Sequence, residues 1–148
     1  DLGFNYRMTE LQAALGVSQM TKLDEFVAKR HTLQERYDQL LSELPVIQPH
    51  QSSFSYSALH LYPIQLDITK IEKGRDQIFN DLRENNIGVN VHYIPVHTQP
   101  YYLEMGFKYG DFPVSESYYS KAISLPLFSQ LSFDDQDVVV STLKTILG

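Results

Sequence analysis

The sequence predicts a small α/β fold of two layers, with helices packed on one side of a small sheet. Three observations support this fold class. Apolar residues recur at helical spacing over a long stretch that begins at Leu23. Apolar residues alternate between Tyr62 and Leu66, which is typical of a strand. A strand, a helix and a second strand then follow one another, which places helices against a sheet. With 148 residues, the chain is long enough for one real core.

The first predicted helix runs from Glu10 to about Met20. Thr9 and Gln12 have the spacing of a capping box, in which a hydroxyl and an amide satisfy each other's backbone N–H groups. Small residues allow close backbone approach, so we expect this helix to be buried and tightly packed. They are Ala13, Ala14 and Gly16.

The second helix is the longest, and Pro45 ends it because proline disfavours helix in the residue before it. Its apolar residues repeat at helical spacing. They are Leu23, Phe26, Val27, Leu33, Tyr37, Leu40, Leu41 and Leu44.

The middle of the chain predicts two strands around a helix. Residues 48–58 suit a turn followed by a weak strand. Residues 60–66 predict a strand, and Pro63 within it indicates an edge position or a bulge. A helix is expected over 71–85 and a further strand over 87–92.

The last third predicts short elements and one longer helix. We expect a helical turn over 101–105, a short helix over 114–122 and a brief strand over 123–127. Ser132 is placed to cap the final helix. Its buried stripe would be Val139, Leu143, Ile146 and Leu147.

Composition excludes several classes of partner. The net charge is −6, which disfavours nucleic acid and anionic membranes because phosphate-rich surfaces need a basic patch. The chain has no cysteine, which excludes disulfides and thiolate metal sites and fits a cytoplasmic protein. No stretch approaches the roughly 20 apolar residues that a membrane-spanning helix needs.

Asn5 and Arg7 form the most informative pair in the sequence. Two side chains spaced by two in an extended segment point to the same face. They would project beside a helix N-terminus, whose dipole favours anions. The residues alone therefore predict an anion site, most plausibly for phosphate.

Three stretches carry a family resemblance. Residues 3–14 read GFNYRMTELQAA, residues 92–102 read HYIPVHTQPYY, and residues 124–128 read SLPLF. In this order they resemble the signature segments of the DegT/DnrJ/EryC1/StrS family of pyridoxal-phosphate-dependent sugar aminotransferases. The three together span nearly the whole chain.

The resemblance implies a composite site and a longer parent enzyme. The family holds its cofactor, pyridoxal 5′-phosphate, on a lysine upstream of the first segment, and no lysine here has that context. We therefore expect no catalytic residue in this chain, which alone should be inactive. By resemblance, Asn5 binds the cofactor phosphate of the partner subunit in a homodimer. Residues 1–45 would be the end of the large domain with a long interdomain helix, and residues 46–148 a small C-terminal α/β domain.

The resemblance also implies the substrate contacts. Arg7, His92 and Tyr93 would bind a nucleotide-linked keto-sugar, with glutamate as amino donor and surface polysaccharides as one destination of the product. Arg7 could equally form a salt bridge or contact the C-terminal end of a helix. His92 could be a half-buried ring bonded to backbone.

Other interpretations of the same residues lead elsewhere. His97 follows His92 by five residues, but two histidines without a third ligand are too few for a metal, and we predict none. The main alternative is a stand-alone small α/β module that binds a ligand or a protein. A third is a regulatory relative whose lysine has been replaced.

Overall fold

The computed structural model describes residues 6–148, so the prediction for Asn5 lies outside the described residues. The helices are α1 (Glu10–Met20), α2 (Leu23–Leu40), α3 (Arg75–Glu84), α4 (Pro100–Glu104), α5 (Pro113–Tyr119) and α6 (Phe133–Leu147), with a 3₁₀ turn at Val96–Thr98. The strands are β1 (Val46–Ile47), β2 (Tyr62–Leu66) and β3 (Ala122–Leu125). The predicted two-layer fold class is confirmed.

The three strands form one antiparallel sheet in the order β1-β2-β3. One face of β2 carries Tyr62, Ile64 and Leu66, all fully buried. Their partners on β3 include Ile123 and Leu125, which therefore share that face. The main helices cover it, since α2, α3 and α6 supply much of the remaining core. We call this the helical face of the sheet.

The opposite face carries Pro63 and Gln65 of β2 beside Ser124 and Ala122 of β3. Gln65 borders a surface depression together with residues of α5, among them Pro113. We call this the open face. It is the face toward which Ser124 directs its side chain.

Pro63 lies in the central strand, and the register explains why the sheet tolerates it. Pro63 is opposite Ser124, whose backbone N–H and C=O both bond to Asn90 on the other side of β3. The Pro63–Ser124 pair is therefore a non-hydrogen-bonded pair. On its other side, β1 reaches only Leu66 and Gln65, so no ladder bond needs the missing N–H. The predicted edge position for this strand is wrong, since β2 is central, but β1 does not extend far enough to pair with Pro63.

Helix α1 has the predicted bounds and the predicted capping box. The N–H of Gln12 donates to Oγ1 of Thr9, and the N–H of Thr9 donates to Oε1 of Gln12. The prediction that α1 is buried is wrong for the described residues, because α1 has no buried residue among them. Its large apolar side chains are mostly exposed, including Leu11 at 84% and Leu15 at 63%.

The C-terminal half of α2 belongs to the core. Leu33, Tyr37 and Leu41 are fully buried, and the ring of Tyr37 stacks on that of Tyr62 at 4.8 Å between centroids. α2 is further joined to α6 by Arg36, whose guanidinium contacts both carboxylate oxygens of Asp137 at 2.7 and 2.8 Å. The predicted domain boundary near Pro45 stays a prediction.

Two strand predictions are wrong. No strand forms over 48–58, and residues 87–92 make only one isolated bridge, between Asn90 and Ser124. The helix end explains the second case. Asn86 takes a left-handed conformation with φ 62°, and the N–H of Ile87 returns to the carbonyl of Leu82. Residues just after α3 thus close the helix and are not free to extend a ladder.

The other boundaries differ from expectation by a few residues. α3 begins at Arg75 and not near residue 71, and Gly74 before it has the extended conformation of an N-cap residue. Ser132 caps α6 as predicted, accepting from the N–H of Asp135 at 3.0 Å. Val139, Leu143 and Ile146 are buried as predicted, whereas Leu147 is only half-buried.

Candidate functional site

Arg7 lies in the extended lead-in to α1 and is exposed. Its guanidinium makes no hydrogen bond or ion pair with any of residues 6–148, so neither alternative to ligand binding, a salt bridge or a helix C-terminal contact, is found in the described part of the chain. Arg7 borders a shallow surface pocket of about 430 Å³ with Tyr6, Met8 and Gln12. An unpaired guanidinium beside a helix N-terminus suits an anion. Whether Asn5 joins it is outside the described residues.

His92 is half-buried on the open face of the sheet. Its Nδ1 lies 2.9 Å from Oγ of Ser124 on β3. Two residues earlier, Asn90 exchanges backbone hydrogen bonds with Ser124 at 2.7 and 3.2 Å. The sheet therefore holds the His92 segment through Ser124. The Nε2 atom of His92 has no hydrogen-bond partner within the described chain and is the ring atom left for a ligand.

Tyr93 follows His92 and is exposed over 69% of its surface. The two rings meet edge to face with centroids 4.5 Å apart. The structure thus brings His92 and Tyr93 together as neighbours with an open side. No hydrogen bond to a described residue uses the Tyr93 hydroxyl, which is free to meet a polar ligand.

His97 belongs to a different cluster from His92. Its Nε2 contacts Oε1 of Glu116 at 2.8 Å, and the same oxygen accepts from the N–H of Gly110 at 2.8 Å. The Gly110 bond and then the His97 contact lower the pKa of the Glu116 carboxyl, while partial burial opposes them. Glu116 therefore ties α5 to the loop that precedes it and to the 3₁₀ turn.

The same region encloses an aromatic pocket of about 310 Å³. It is lined by Val96, His97, Tyr102, Phe107, Phe112 and Ser115. Of the two tyrosines at 101 and 102, Tyr102 lines this pocket whereas Tyr101 is 68% exposed. The pocket is mainly apolar, and of the Glu116–His97 pair only His97 lines it.

Sequence reasoning did not single out Ser124, which contacts His92, or Glu116, which contacts His97. Ser124 begins the SLPLF segment, so a signal was present, but its contact with His92 joins residues 32 positions apart. Glu116 carried no signal, because its partners become neighbours only when the loop folds back on α5.

Residues 6–148 contain no group of three or more His, Asp or Glu side chains placed to hold a metal ion. Among the same residues, none of the helices combines the length and the apolar character needed to cross a bilayer.

Comparison with known proteins places these features in a family. The model of the DegT/DnrJ/EryC1/StrS aminotransferase family matches residues 1–144. The spore coat polysaccharide biosynthesis protein SpsC of Bacillus subtilis is 38% identical over 98% of this chain, which covers 38% of SpsC. The chain thus spans about two fifths of the length of the curated relatives it matches.

Solved structures agree with the family match. Helicobacter pylori PseC, an aminotransferase involved in the biosynthesis of pseudoaminic acid, superposes with a TM-score of 0.87 at 26% identity, over 99% of this chain and 39% of PseC. Spr1654 of Streptococcus pneumoniae in its PLP form gives a TM-score of 0.87 at 27% identity, over 95% of this chain and 36% of Spr1654. The resemblance that the sequence segments indicated is confirmed: this chain belongs to the DegT/DnrJ/EryC1/StrS aminotransferase family.

Proposed function

We propose that this chain is part of a pyridoxal-phosphate-dependent aminotransferase that transfers the amino group of glutamate to a nucleotide-linked keto-sugar. The observation that carries the proposal is the family match over residues 1–144, which includes all three of the signature segments. SpsC is named for polysaccharide biosynthesis, and we propose the same destination for the product of this enzyme.

The N-terminal segment contains a side chain suited to a phosphorylated cofactor. The amide of Asn5 would donate to the cofactor phosphate of the partner subunit, adding a hydrogen bond without adding charge. When bound, the cofactor supplies an electron sink. The lysine that holds it would lie in protein outside this chain, which alone we propose to be inactive.

The other contacts would orient the sugar nucleotide. The guanidinium of Arg7 suits paired oxygens of a diphosphate. His92 and Tyr93 present a ring nitrogen and a hydroxyl that no described residue uses, and both can bond to hydroxyl or keto oxygens of a sugar. These groups would position the substrate, and none of them is proposed to carry the covalent chemistry.

We also propose a homodimer in the cytoplasm. The exposed apolar side chains of α1 support a covered position for this helix in the whole protein. The chain has no cysteine and so no disulfide that would require an oxidising compartment. Light scattering of the native protein across a dilution series measures its mass, and a monomer at micromolar concentration would remove the shared site.

The role of Asn5 has a direct test. Asn5→Ala should weaken cofactor retention by about 1–2 kcal/mol, the value of one bond to a charged group. Equilibrium dialysis measures the affinity. Asn80→Ala, on the exposed side of α3, is the matched control. Equal affinity in the Asn5 variant and the control would take Asn5 out of the site.

Turnover tests the function as a whole. The native protein, expressed in full and supplied with pyridoxal phosphate and glutamate, should release 2-oxoglutarate beyond a single equivalent per cofactor only when a nucleotide-linked keto-sugar is present. The same keto-sugar without its nucleotide is the control. Equal release with both would refute the proposed substrate class. Binding of nucleotide sugars without any release would favour the alternative, a stand-alone binding module.

A further inference from the structure

Ser124 is held in a position from which its hydroxyl can determine which ring nitrogen of His92 carries the proton. Its side chain is on the open face of the sheet and only 5% of the residue is exposed. Its backbone is fixed by the two bonds to Asn90, and its neighbours on β3, Ile123 and Leu125, pair with β2. A hydroxyl on so rigid a support has little freedom to move.

The Ser124 hydroxyl has a single partner among the described residues, Nδ1 of His92 at 2.9 Å. A buried hydroxyl whose hydrogen finds no acceptor costs free energy. If the imidazole donated the hydrogen bond to Oγ of Ser124, the hydroxyl hydrogen of Ser124 would have no acceptor among the described residues. The arrangement that satisfies both groups has the Ser124 O–H donating to Nδ1. The ring proton of neutral His92 is then on Nε2.

From this geometry we infer that Ser124 is a positioning residue, which fixes His92 as the tautomer that donates from Nε2 to the sugar substrate. The inference rests on the proposed function for the role of the sugar, but the tautomer is a property of the protein without substrate. An Nε2–H donor is suited to a keto or hydroxyl oxygen, and it could not serve as a general base in this state. His92 would therefore select a substrate that places a hydrogen-bond-accepting oxygen at this position.

The tautomer can be measured directly. Native protein labelled with ¹⁵N-histidine is observed by long-range ¹H–¹⁵N correlation at a pH above the histidine range. His92→Gln identifies the His92 signals among those of the other histidines. We expect the proton on Nε2 in the unsubstituted protein. A proton on Nδ1 would overturn the inference, whatever the enzyme proves to catalyse.

Variants test the positioning. Ser124→Ala keeps both backbone bonds to Asn90 and removes only the hydroxyl, so we expect mixed tautomers and a KM for the nucleotide sugar raised about tenfold, as for one lost hydrogen bond. The half-reaction with glutamate should keep its rate, because it does not involve the sugar. Ser124→Thr retains the hydroxyl, so its KM for the nucleotide sugar should lie close to that of the unsubstituted protein.

Ser141→Ala is the control, since Ser141 is exposed on α6. Equal losses in both half-reactions for Ser124→Ala would mean a merely structural role and would overturn the inference. Failure of the alanine variant to fold leaves the tautomer in the unsubstituted protein as the deciding measurement. Failure of the proposed function would instead appear as no turnover with the Nε2–H tautomer intact.

Discussion

Two buried tyrosines should make the protein sensitive to alkaline pH. Tyr37 and Tyr62 are fully buried with stacked rings. The Tyr37 hydroxyl donates to the carbonyl of Pro126 at 3.0 Å, and that of Tyr62 donates to Oδ1 of Asp38 at 2.5 Å. Burial raises the pKa of Tyr37, and burial together with the Asp38 hydrogen bond and charge raises the pKa of Tyr62.

The direction of the change in stability with pH depends on whether the folded or the unfolded state keeps the phenol protons. A tyrosine in the unfolded chain ionises near its ordinary pKa of 10.0, whereas the folded state keeps both phenols neutral at that pH. Above that pH the unfolded state binds fewer protons, so the free energy of unfolding falls as pH rises. The slope approaches about 1.4 kcal/mol per pH unit for each tyrosine, or about 2.7 kcal/mol for the pair. Below about pH 9 the effect should vanish, by the same linkage.

Denaturant unfolding at a series of pH values between about 8 and 11.5 measures this slope. The double variant Tyr37→Phe and Tyr62→Phe should lose the contribution of the pair, while Tyr109→Phe, which changes a residue 72% exposed, should retain it. The comparison uses slopes, so a lower absolute stability of the double variant does not affect it. Equal slopes in the two variants would refute the assignment of the alkaline sensitivity to this pair.

Three further predictions concern stability and charge. Gln136→Ala should lower the free energy of unfolding by about 2 kcal/mol in denaturant titration, because the buried amide donates to the Leu33 carbonyl at 2.8 Å and accepts from Arg36 at 3.2 Å; no change would show that these bonds are not net stabilising. Ser132→Ala should cost about 1 kcal/mol through loss of the α6 cap, and Ser132→Asp should recover it. Asp67 should titrate by NMR with a pKa of about 2, and Thr69→Ala should move that pKa toward 3.8, because the Thr69 hydroxyl bond is the main cause of the lowering.

Local signals in the sequence were enough for the bounds of α1 and for the start of α6. The capping box of Thr9 and Gln12 fixes the start of α1, and its bounds agree with the prediction. Ser132 with the acidic first turn does the same for α6. These signals act within one turn of helix, so no knowledge of the tertiary fold was needed.

Sheet pairing could not be predicted in the same way. The segment over 87–92 has the alternation of a strand, but its start is used to close α3, and only Asn90 forms a backbone bridge to β3. The Ser124–His92 contact joins two segments whose proximity depends on that pairing. Long-range pairing decided both outcomes, and the pattern of a single segment does not contain it.

The exposure of α1 also depends on long-range contacts, which the pattern of a single segment does not contain. Its small residues predicted close packing, but none of residues 6–148 covers it. The sequence indicates that a helix surface is suited to packing, whereas the neighbour that covers this surface would come from the proposed dimer. Arg7 fits this view, because its charge is also unpaired among the described residues.

Transfer of labelled nitrogen would reveal the proposed reaction itself. Native protein with pyridoxal phosphate is incubated with ¹⁵N-glutamate and a nucleotide-linked keto-sugar, and the sugar product is examined by mass spectrometry. We expect a nucleotide-linked amino-sugar carrying ¹⁵N, formed more slowly by the Arg7→Ala variant. Nitrogen label that stays entirely in glutamate, with the cofactor bound, would contradict the assignment of this chain to a sugar-aminating enzyme.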